Sequence, residues 1–164
     1  MITIVEGNIL NATENIICHQ VNCMGTMGSG LAKQIRNSYP KVYAEYVKLL
    51  NWAKEEYKRG YSVKKYPLGS VQFVELSNKK VIANIFGQLK FGTDKQYTDY
   101  DALKKGLSGV LETVTWDHMN YKGYSVAIPY GIGCGLAGGD WEVVYKIIEE
   151  VFKDYNVTIY KLKE

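Results

Sequence analysis

Two polar positions in the sequence could place an acid–base group beside a bound ligand. His19 lies near the end of the apolar run 16–21, with Asn22 directly after it, and a histidine can exchange a proton near neutral pH. Asp140 precedes a helical pattern that starts at Trp141, and its carboxylate could orient or deprotonate a water. Each side chain also has a structural interpretation, since histidines can be buried with their hydrogen bonds satisfied, asparagines close turns and aspartates cap helices. The residue types alone leave both interpretations open.

Both positions adjoin a glycine-rich segment. Five glycines fall within residues 131–139, after the apolar run 126–128, and more glycines fall within residues 22–30. Helices do not continue through such runs, because glycine loses the most backbone entropy on ordering. A glycine loop between a strand and a helix suits an anion, since its N–H groups can converge and no Cβ blocks a phosphate. Two such loops could bind the two halves of a pyrophosphate, although either one alone could be a plain turn.

Other catalytic motifs fit less well. Residues 133–138 match the glycine pattern of dinucleotide-binding enzymes, and Asp154 follows, but too little chain remains for the strand–helix–strand units that such a domain needs. The loop 22–30 lacks the Gly-Lys-Ser/Thr ending of a phosphate-binding ATPase loop. Cys134 could be a nucleophile, but no sequence feature indicates a lowered thiol pKa, so a packing role is favoured.

The apolar periodicity predicts six strands and four helices that could position these groups. The strands are predicted at residues 2–5, 16–21, 71–76, 81–86, 126–128 and 157–162, and the helices from 31 to before Pro40 and at 41–58, 100–114 and 141–152. A turn at 77–80 permits a hairpin. Strands alternating with helices favour an α/β fold with a mixed sheet, and such sheets bind ligands at the carboxyl ends of their strands. Both glycine loops lie there.

Composition excludes several classes of protein. Lys and Arg exceed Asp and Glu by 20 − 17 = 3, well short of a nucleic-acid-binding signature. Three cysteines without a CxxC pair argue against a disulfide framework or a zinc site and favour a reducing cytoplasm. No cluster has metal-ligand spacing, so no metal is expected. No signal peptide or membrane-spanning run is visible, so no membrane partner is expected, and the length favours one domain over residues 1–164.

Four segments, in this order, carry a resemblance to a known family. They are His-Gln-Val-Asn (19–22), Met-Gly-Ser-Gly-Leu-Ala (27–32), Asn-Ile-Phe-Gly-Gln (84–88) and the stretch from Ile-Pro to Gly-Gly-Asp-Trp (128–141). Together they resemble the macrodomain family of ADP-ribose-binding modules, over essentially the whole chain. The resemblance implies a three-layer α/β/α fold with a central mixed six-stranded sheet. It also implies ADP-ribose or a derivative as ligand, ADP-ribosylated macromolecules as further partners, and no cofactor.

The resemblance also implies roles for individual residues. One phosphate loop would comprise Gly28, Ser29, Gly30, Leu31 and Ala32, and the other Ile132, Gly133, Cys134, Gly135 and Leu136. Asn22 would hydrogen-bond the distal ribose, and Gln88 would also contact the ligand. The adenine would lie against Gly7, Asn8 and Ile9, with Tyr160 beside it. His19 and Asp140 would flank the distal ribose as the catalytic pair.

The subgroup that the chain resembles holds ADP-ribose 1''-phosphate phosphatases and ADP-ribosyl glycohydrolases. Three departures from the family's pattern bear on the choice between these two activities. Asn8 stands where many members have Asp, Gly87 and Gln88 stand where the glycohydrolases have a lysine, and Ala137 stands where the protein glycohydrolases have Asp. Lys90 is the nearest lysine to that strand end.

The resulting expectation is hydrolysis of ADP-ribose 1''-phosphate to ADP-ribose. Asp140 would orient or deprotonate a water, and His19 would stabilise the leaving oxygen or donate a proton. One alternative is a glycohydrolase that removes ADP-ribose from protein or nucleic acid. The other is a non-catalytic ADP-ribose-binding module.

Overall fold

The computed structural model describes residues 1–77 and 79–163 and contains a six-stranded sheet. The strands are β1 (Ile2–Glu6), β2 (Ile16–Val21), β3 (Val71–Ser77), β4 (Lys80–Phe86), β5 (Val126–Pro129) and β6 (Val157–Lys161). Their spatial order is β1-β6-β5-β2-β4-β3. All neighbouring pairs are parallel except β3 and β4, which form the predicted antiparallel pair. The expected mixed six-stranded sheet is confirmed.

Four α-helices cover the two faces of this sheet. They are α1 (Gly30–Ser38), α2 (Pro40–Lys58), α3 (Tyr100–Thr115) and α4 (Trp141–Val151). The buried residues of α1 and α2 pack on one face, and those of α3 and α4 pack on the other. Pro40 occupies the first turn of α2, where its missing N–H costs no helical hydrogen bond. The expected three-layer α/β/α arrangement is confirmed.

The central strand β2 is buried on both sides. Ile16 and Cys18 belong to the core under α3 and α4, whereas Ile17 and Val21 belong to the core under α1 and α2. Side chains alternate between faces along a strand, so His19 falls on the α1–α2 side. This burial explains why the strand reads as a nearly continuous apolar run.

Parallel alignment brings the strand ends together. The carboxyl ends of β2 and β5 lie at the same edge of the sheet, so the first glycine loop (residues 22–30) and the second glycine loop (residues 131–139) are neighbours. The segment from Gly87 to Tyr97, predicted as a loop, leaves the adjacent strand β4 at that edge.

The differences from the predicted elements are small. No predicted strand or helix boundary moved by more than one residue, which is within the fraying of element ends. A short 3₁₀ helix, Ile9–Asn11, was not predicted, because three residues carry no periodic signal. In the predicted turn 77–80, Asn78 lies outside the described residues. No helix in the described part of the chain is both long and apolar enough to cross a membrane.

Candidate functional site

A cavity of about 320 Å³ opens at the carboxyl edge of the sheet, between the two glycine loops. This is the carboxyl-edge cavity. Its lining includes His19, Asn22, Gly28, Ser29, Gly30, Leu31, Ala32, Gln88, Ile132, Gly133, Gly135 and Leu136, all of them predicted from the sequence. Ligands in open α/β sheets bind at such an edge. The structure therefore brings both predicted phosphate loops to one cavity.

The first loop presents the open N-terminus of α1 to this cavity. Ser29 is the N-cap residue, yet its side chain makes no capping hydrogen bond, and the first turn contains no acidic residue. The first N–H groups of a helix have no partner within the helix. The lining residues Gly30, Leu31 and Ala32 supply such groups, and the helix dipole adds partial positive charge at the same point. This end of α1 is suited to an anion.

The second loop holds its own shape through backbone hydrogen bonds. The Cys134 N–H donates to Gly131 O at 2.8 Å, and the Gly139 N–H donates to Gly133 O at 2.9 Å. Gly133 has φ +73°, which favours glycine, and a Cβ on Gly139 would lie 2.6 Å from Gly133 O. Among the described residues, the N–H groups of Gly133, Gly135 and Leu136 have no hydrogen-bond partner. These amides are available to a ligand in the cavity.

Charged side chains are missing from this lining. Within residues 1–77 and 79–163, no Lys, Arg, Asp or Glu side chain borders the cavity. A bound anion would therefore be held by backbone amides and the helix dipole. Nor does the described part of the chain contain a group of three His, Cys, Asp or Glu residues that could hold a metal ion.

Asn22 shapes the first glycine loop. Its Oδ1 accepts a hydrogen bond from the Met24 N–H at 2.9 Å, and its Nδ2 donates to Thr26 O at 2.8 Å. The Tyr46 hydroxyl lies 2.8 Å from the same Oδ1. The turn-closing interpretation of Asn22 is confirmed. The ribose contact stays a prediction, for which the second Nδ2 hydrogen is the available donor.

His19 is buried at the edge of the cavity, with 1% of its surface exposed. Its Nε2 lies 2.5 Å from Asn84 Oδ1, and its Nδ1 has no partner among the described residues. Burial lowers the pKa of His19 to about 4, and the hydrogen bond to Asn84 offsets only part of this effect. The ring is therefore neutral at neutral pH. A neutral imidazole is a weaker acid than the charged form, so burial works against proton donation by His19, and its catalytic role stays a prediction.

Asp140 is not among the residues that line the cavity. Its Oδ1 accepts a hydrogen bond from the Glu142 N–H at 2.9 Å, and its own N–H donates to the Tyr100 hydroxyl. The capping interpretation is confirmed. The catalytic role stays a prediction, and it requires Asp140 to approach a ligand that extends beyond the cavity.

Cys134 also lies outside the cavity lining. Burial raises the pKa of its thiol to about 11, and Asp140 adds to the effect. The thiol lies 3.3 Å from Ile132 O. A protonated, half-buried thiol supports the packing role over the nucleophile.

The predicted adenine residues gather at the neighbouring strand ends but outside the cavity lining. A Cβ on Gly7 would lie 3.7 Å from the Tyr160 ring, which shows that the ends of β1 and β6 meet here. The Asn8 side chain accepts from the Leu10 N–H at 3.0 Å and so caps the 3₁₀ helix, while Ile9 is buried. The structure brings these four predicted residues together, and their adenine role stays a prediction.

Several site residues were missed by the sequence analysis. Phe91, 53% exposed, borders the cavity from the segment after β4. Gln20 Nε2 donates to Gln88 Oε1 at 2.8 Å and to Thr98 Oγ1 at 2.9 Å, and Thr98 in turn donates to Gly133 O. This bracing fixes the second glycine loop. For Gln20, the sequence signals were its polar side chain inside an apolar strand and its place in the segment 19–22.

Comparison with known proteins identifies the family of this chain. The Macro domain family matches residues 18–148, so the chain belongs to that family. A Saccharomyces cerevisiae protein named ADP-ribose 1''-phosphate phosphatase is 28% identical over 98% of both chains. A Mycobacterium tuberculosis protein named DNA ADP-ribosyl glycohydrolase is 29% identical over 98% of this chain, which spans only 42% of that protein.

Solved structures show the same fold. A Bacteroides thetaiotaomicron protein of unknown function superposes with a TM-score of 0.75 at 30% identity, covering 98% of each chain. The macrodomain of Mycobacterium tuberculosis DarG gives a TM-score of 0.73 at 26% identity, covering 98% of this chain and 97% of its own.

Proposed function

We propose that this chain binds ADP-ribose and hydrolyses ADP-ribose 1''-phosphate to ADP-ribose. The observation that carries the proposal is that two sets of backbone N–H groups without hydrogen-bond partners face one cavity that no charged side chain lines, among the described residues. One set is at the N-terminus of α1 and the other is in the second glycine loop. A pyrophosphate carries two anionic centres, and each set of amides suits one of them. The cavity volume of about 320 Å³ falls within the usual range for ligand sites.

The choice of a phosphatase is supported by the extent of the similarity. The relative named ADP-ribose 1''-phosphate phosphatase matches this chain from end to end, with 98% of each protein covered. The relatives named as glycohydrolases match over only 37–42% of their length, so they give weaker support for assigning their activity to this chain.

The proposed mechanism depends on placement. The two loops would fix the pyrophosphate, so that the terminal ribose lies towards His19, Asn22 and Gln88. A water oxygen attacks the 1''-phosphorus and the bond from phosphorus to the ribose oxygen breaks. A proton from that water passes to the leaving oxygen, which gives ADP-ribose and inorganic phosphate. Such transfers depend chiefly on positioning and on stabilisation of charge. The resemblance implies that Asp140 orients the water. Because Asp140 lies outside the cavity lining, the 1''-phosphate would have to project from the cavity towards it.

The test is calorimetric titration with ADP-ribose, run beside an assay of phosphate release from ADP-ribose 1''-phosphate. We expect saturable binding and phosphate release. Binding without release would refute the phosphatase and leave the non-catalytic module and the glycohydrolase, which assays on ADP-ribosylated protein and DNA would separate. Absence of binding would refute the whole proposal.

A glycohydrolase is the second candidate, and one contact favours it. Gln88 Nε2 donates to the backbone carbonyl of Lys90 at 2.9 Å, so the backbone at Lys90 is tied to a residue that lines the cavity. A glycohydrolase would release ADP-ribose from modified DNA or protein and would lose that activity in Lys90→Ala. Lys95→Ala is a control in the same segment, because neither lysine lines the cavity and the hydrogen bond to Gln88 is made by Lys90.

A further inference from the structure

A row of hydrogen-bonded side chains links His19 to helix α2. His19 Nε2 lies 2.5 Å from Asn84 Oδ1. Asn84 Nδ2 donates to Gln72 Oε1 at 3.0 Å, and Gln72 Nε2 donates to the backbone carbonyl of Glu45 at 2.9 Å. The strand register aligns these groups, because His19 pairs with Asn84 and Asn84 pairs with Gln72. The row thus spans three adjacent strands and ends on a helix.

The carbonyl of Glu45 sets the direction of every hydrogen bond in this row. A carbonyl can only accept, so Gln72 must turn its NH₂ group towards α2 and leave Oε1 to accept. Asn84 must then donate through Nδ2, which leaves Oδ1 to accept from His19. The hydrogen of the neutral imidazole is therefore on Nε2, and Nδ1 carries a lone pair.

That lone pair has no protein partner. Nδ1 of His19 is buried and without a hydrogen bond among the described residues, although the residue borders the carboxyl-edge cavity. A buried acceptor that has lost water is costly unless a donor replaces it. Since His19 lines the cavity, a group bound there is the candidate donor to Nδ1.

We propose that Asn84 and Gln72 are positioning residues that fix His19 as a neutral acceptor, so that its corner of the cavity takes an O–H group of the ligand or a ligand-bound water. A phosphate oxygen is disfavoured there, because it would bring negative charge against a lone pair. The assignment of the hydrogen stands on the protein alone, whereas the identity of the O–H group, a hydroxyl of the terminal ribose, rests on the proposed function. In hydrolysis, His19 then orients a water and does not protonate the leaving oxygen.

Nitrogen NMR of the free protein tests whether the imidazole hydrogen of His19 is on Nε2. The chain has two histidines, and His118 is exposed, so a His118→Gln variant assigns the two imidazoles. We expect His19 to be neutral at pH 7 with its hydrogen on Nε2. A hydrogen on Nδ1, or a charged ring, would overturn the proposal whatever the ligand is.

Variants at the far end of the row test the positioning role. Gln72→Leu removes the anchor without touching the cavity lining, and Asn84→Leu removes the direct partner. Both should shift part of the His19 population to the Nδ1–H form. If Asn84→Leu fails to fold, the half-buried Gln72 still provides the test. An unchanged tautomer in a folded variant would overturn the proposal.

Affinities for ADP-ribose and ADP test whether His19 accepts a hydrogen bond from a hydroxyl of the terminal ribose, since ADP lacks that ribose. Gln72→Leu should weaken ADP-ribose binding about tenfold and leave ADP binding within about twofold. Equal losses for both ligands, or no loss, would overturn the assignment of the hydroxyl. If the wild-type protein binds neither ligand but shows the Nε2–H tautomer, the proposed function fails and the positioning role stands.

Discussion

At the scale of single residues, the polar side chains of this site serve structure and ligand at once. Asn22 has its oxygen and one amide hydrogen committed to the first glycine loop. His19 has one ring nitrogen committed to Asn84. Each residue therefore offers only its remaining atom to a ligand: the second Nδ2 hydrogen of Asn22 and Nδ1 of His19.

Burial of His19 should make stability depend on pH. The pKa of His19 is lowered from 6.5 to about 4 in the folded protein, mainly by burial, so the unfolded chain binds the proton first as the pH falls. The free energy of unfolding should therefore decrease between about pH 6.5 and pH 4, by about 3 kcal/mol in total. Urea unfolding at a series of pH values measures this slope.

His19→Gln should flatten the slope, because glutamine does not titrate. His118→Gln, at the exposed histidine, should leave the slope unchanged. Equal slopes in the wild type and His19→Gln would show that His19 is not the group responsible.

At the scale of elements, two helix N-termini flank the site and differ in how they are capped. The Asp140 side chain caps α4, whereas Ser29 leaves α1 uncapped next to the cavity. An uncapped N-terminus costs helix stability, and a bound anion can replace the cap. The contrast supports α1 as the end that receives a phosphate.

Ser29→Asp should block the anion site with a tethered carboxylate. We expect ADP-ribose affinity to fall about tenfold or more, while the melting temperature stays the same or rises, because Asp caps as well as Ser and favours the helix dipole. Ser62→Asp adds the same charge away from the cavity, since Ser62 accepts from the Lys64 N–H in another loop. Unaltered affinity in Ser29→Asp would argue against phosphate binding at α1.

Asp140 variants should separate capping from catalysis. Asp140→Ala loses the hydrogen bond to the Glu142 N–H and should destabilise the protein by about 0.5–2 kcal/mol. Asp140→Asn keeps a capping oxygen and should retain stability. If Asp140 also takes part in hydrolysis, Asp140→Asn should lose phosphate release in an otherwise stable protein. Full activity in Asp140→Asn would leave capping as its only role.

At the scale of the whole molecule, close packing of α3 on the sheet holds the frame on which the cavity is built. Gly106 lies in the buried face of α3, and a Cβ there would come within 2.4 Å of Ile85 Cγ2. Ile85 belongs to β4, the strand that leads into the segment 87–98 and its contacts with the second glycine loop. The packing of α3 on β4 therefore supports the position of the segment that contacts the second glycine loop.

Gly106→Ala should destabilise the protein although alanine favours helices by about 1 kcal/mol. The clash with Ile85 should cost about 1–3 kcal/mol, measured by denaturant unfolding. In an Ile85→Ala background the same change should become neutral or stabilising. An Ile82→Ala background, altered on the opposite face of β4, should retain the clash. Additivity in the Ile85→Ala background would contradict this account.

The sequence by itself determined the elements and the two glycine loops. Periodic apolar residues predicted all six strands and four helices, and the loops 22–30 and 131–139 were identified from composition alone. These features are local, because strand and helix periods and the freedom of glycine operate over a few neighbouring residues. The extension to one domain over residues 1–164, the cytoplasmic location and the absence of a metal stay predictions.

Only the tertiary structure decided which atoms of the polar residues remain free. His19 depends on Asn84, 65 positions away, and through it on Gln72 and the carbonyl of Glu45. Likewise, the sequence placed Asp140 beside the second glycine loop, but in the structure Asp140 caps α4 and lies outside the cavity lining. Hydrogen-bond partners across strands are set by register and burial, which arise only when distant segments pack together.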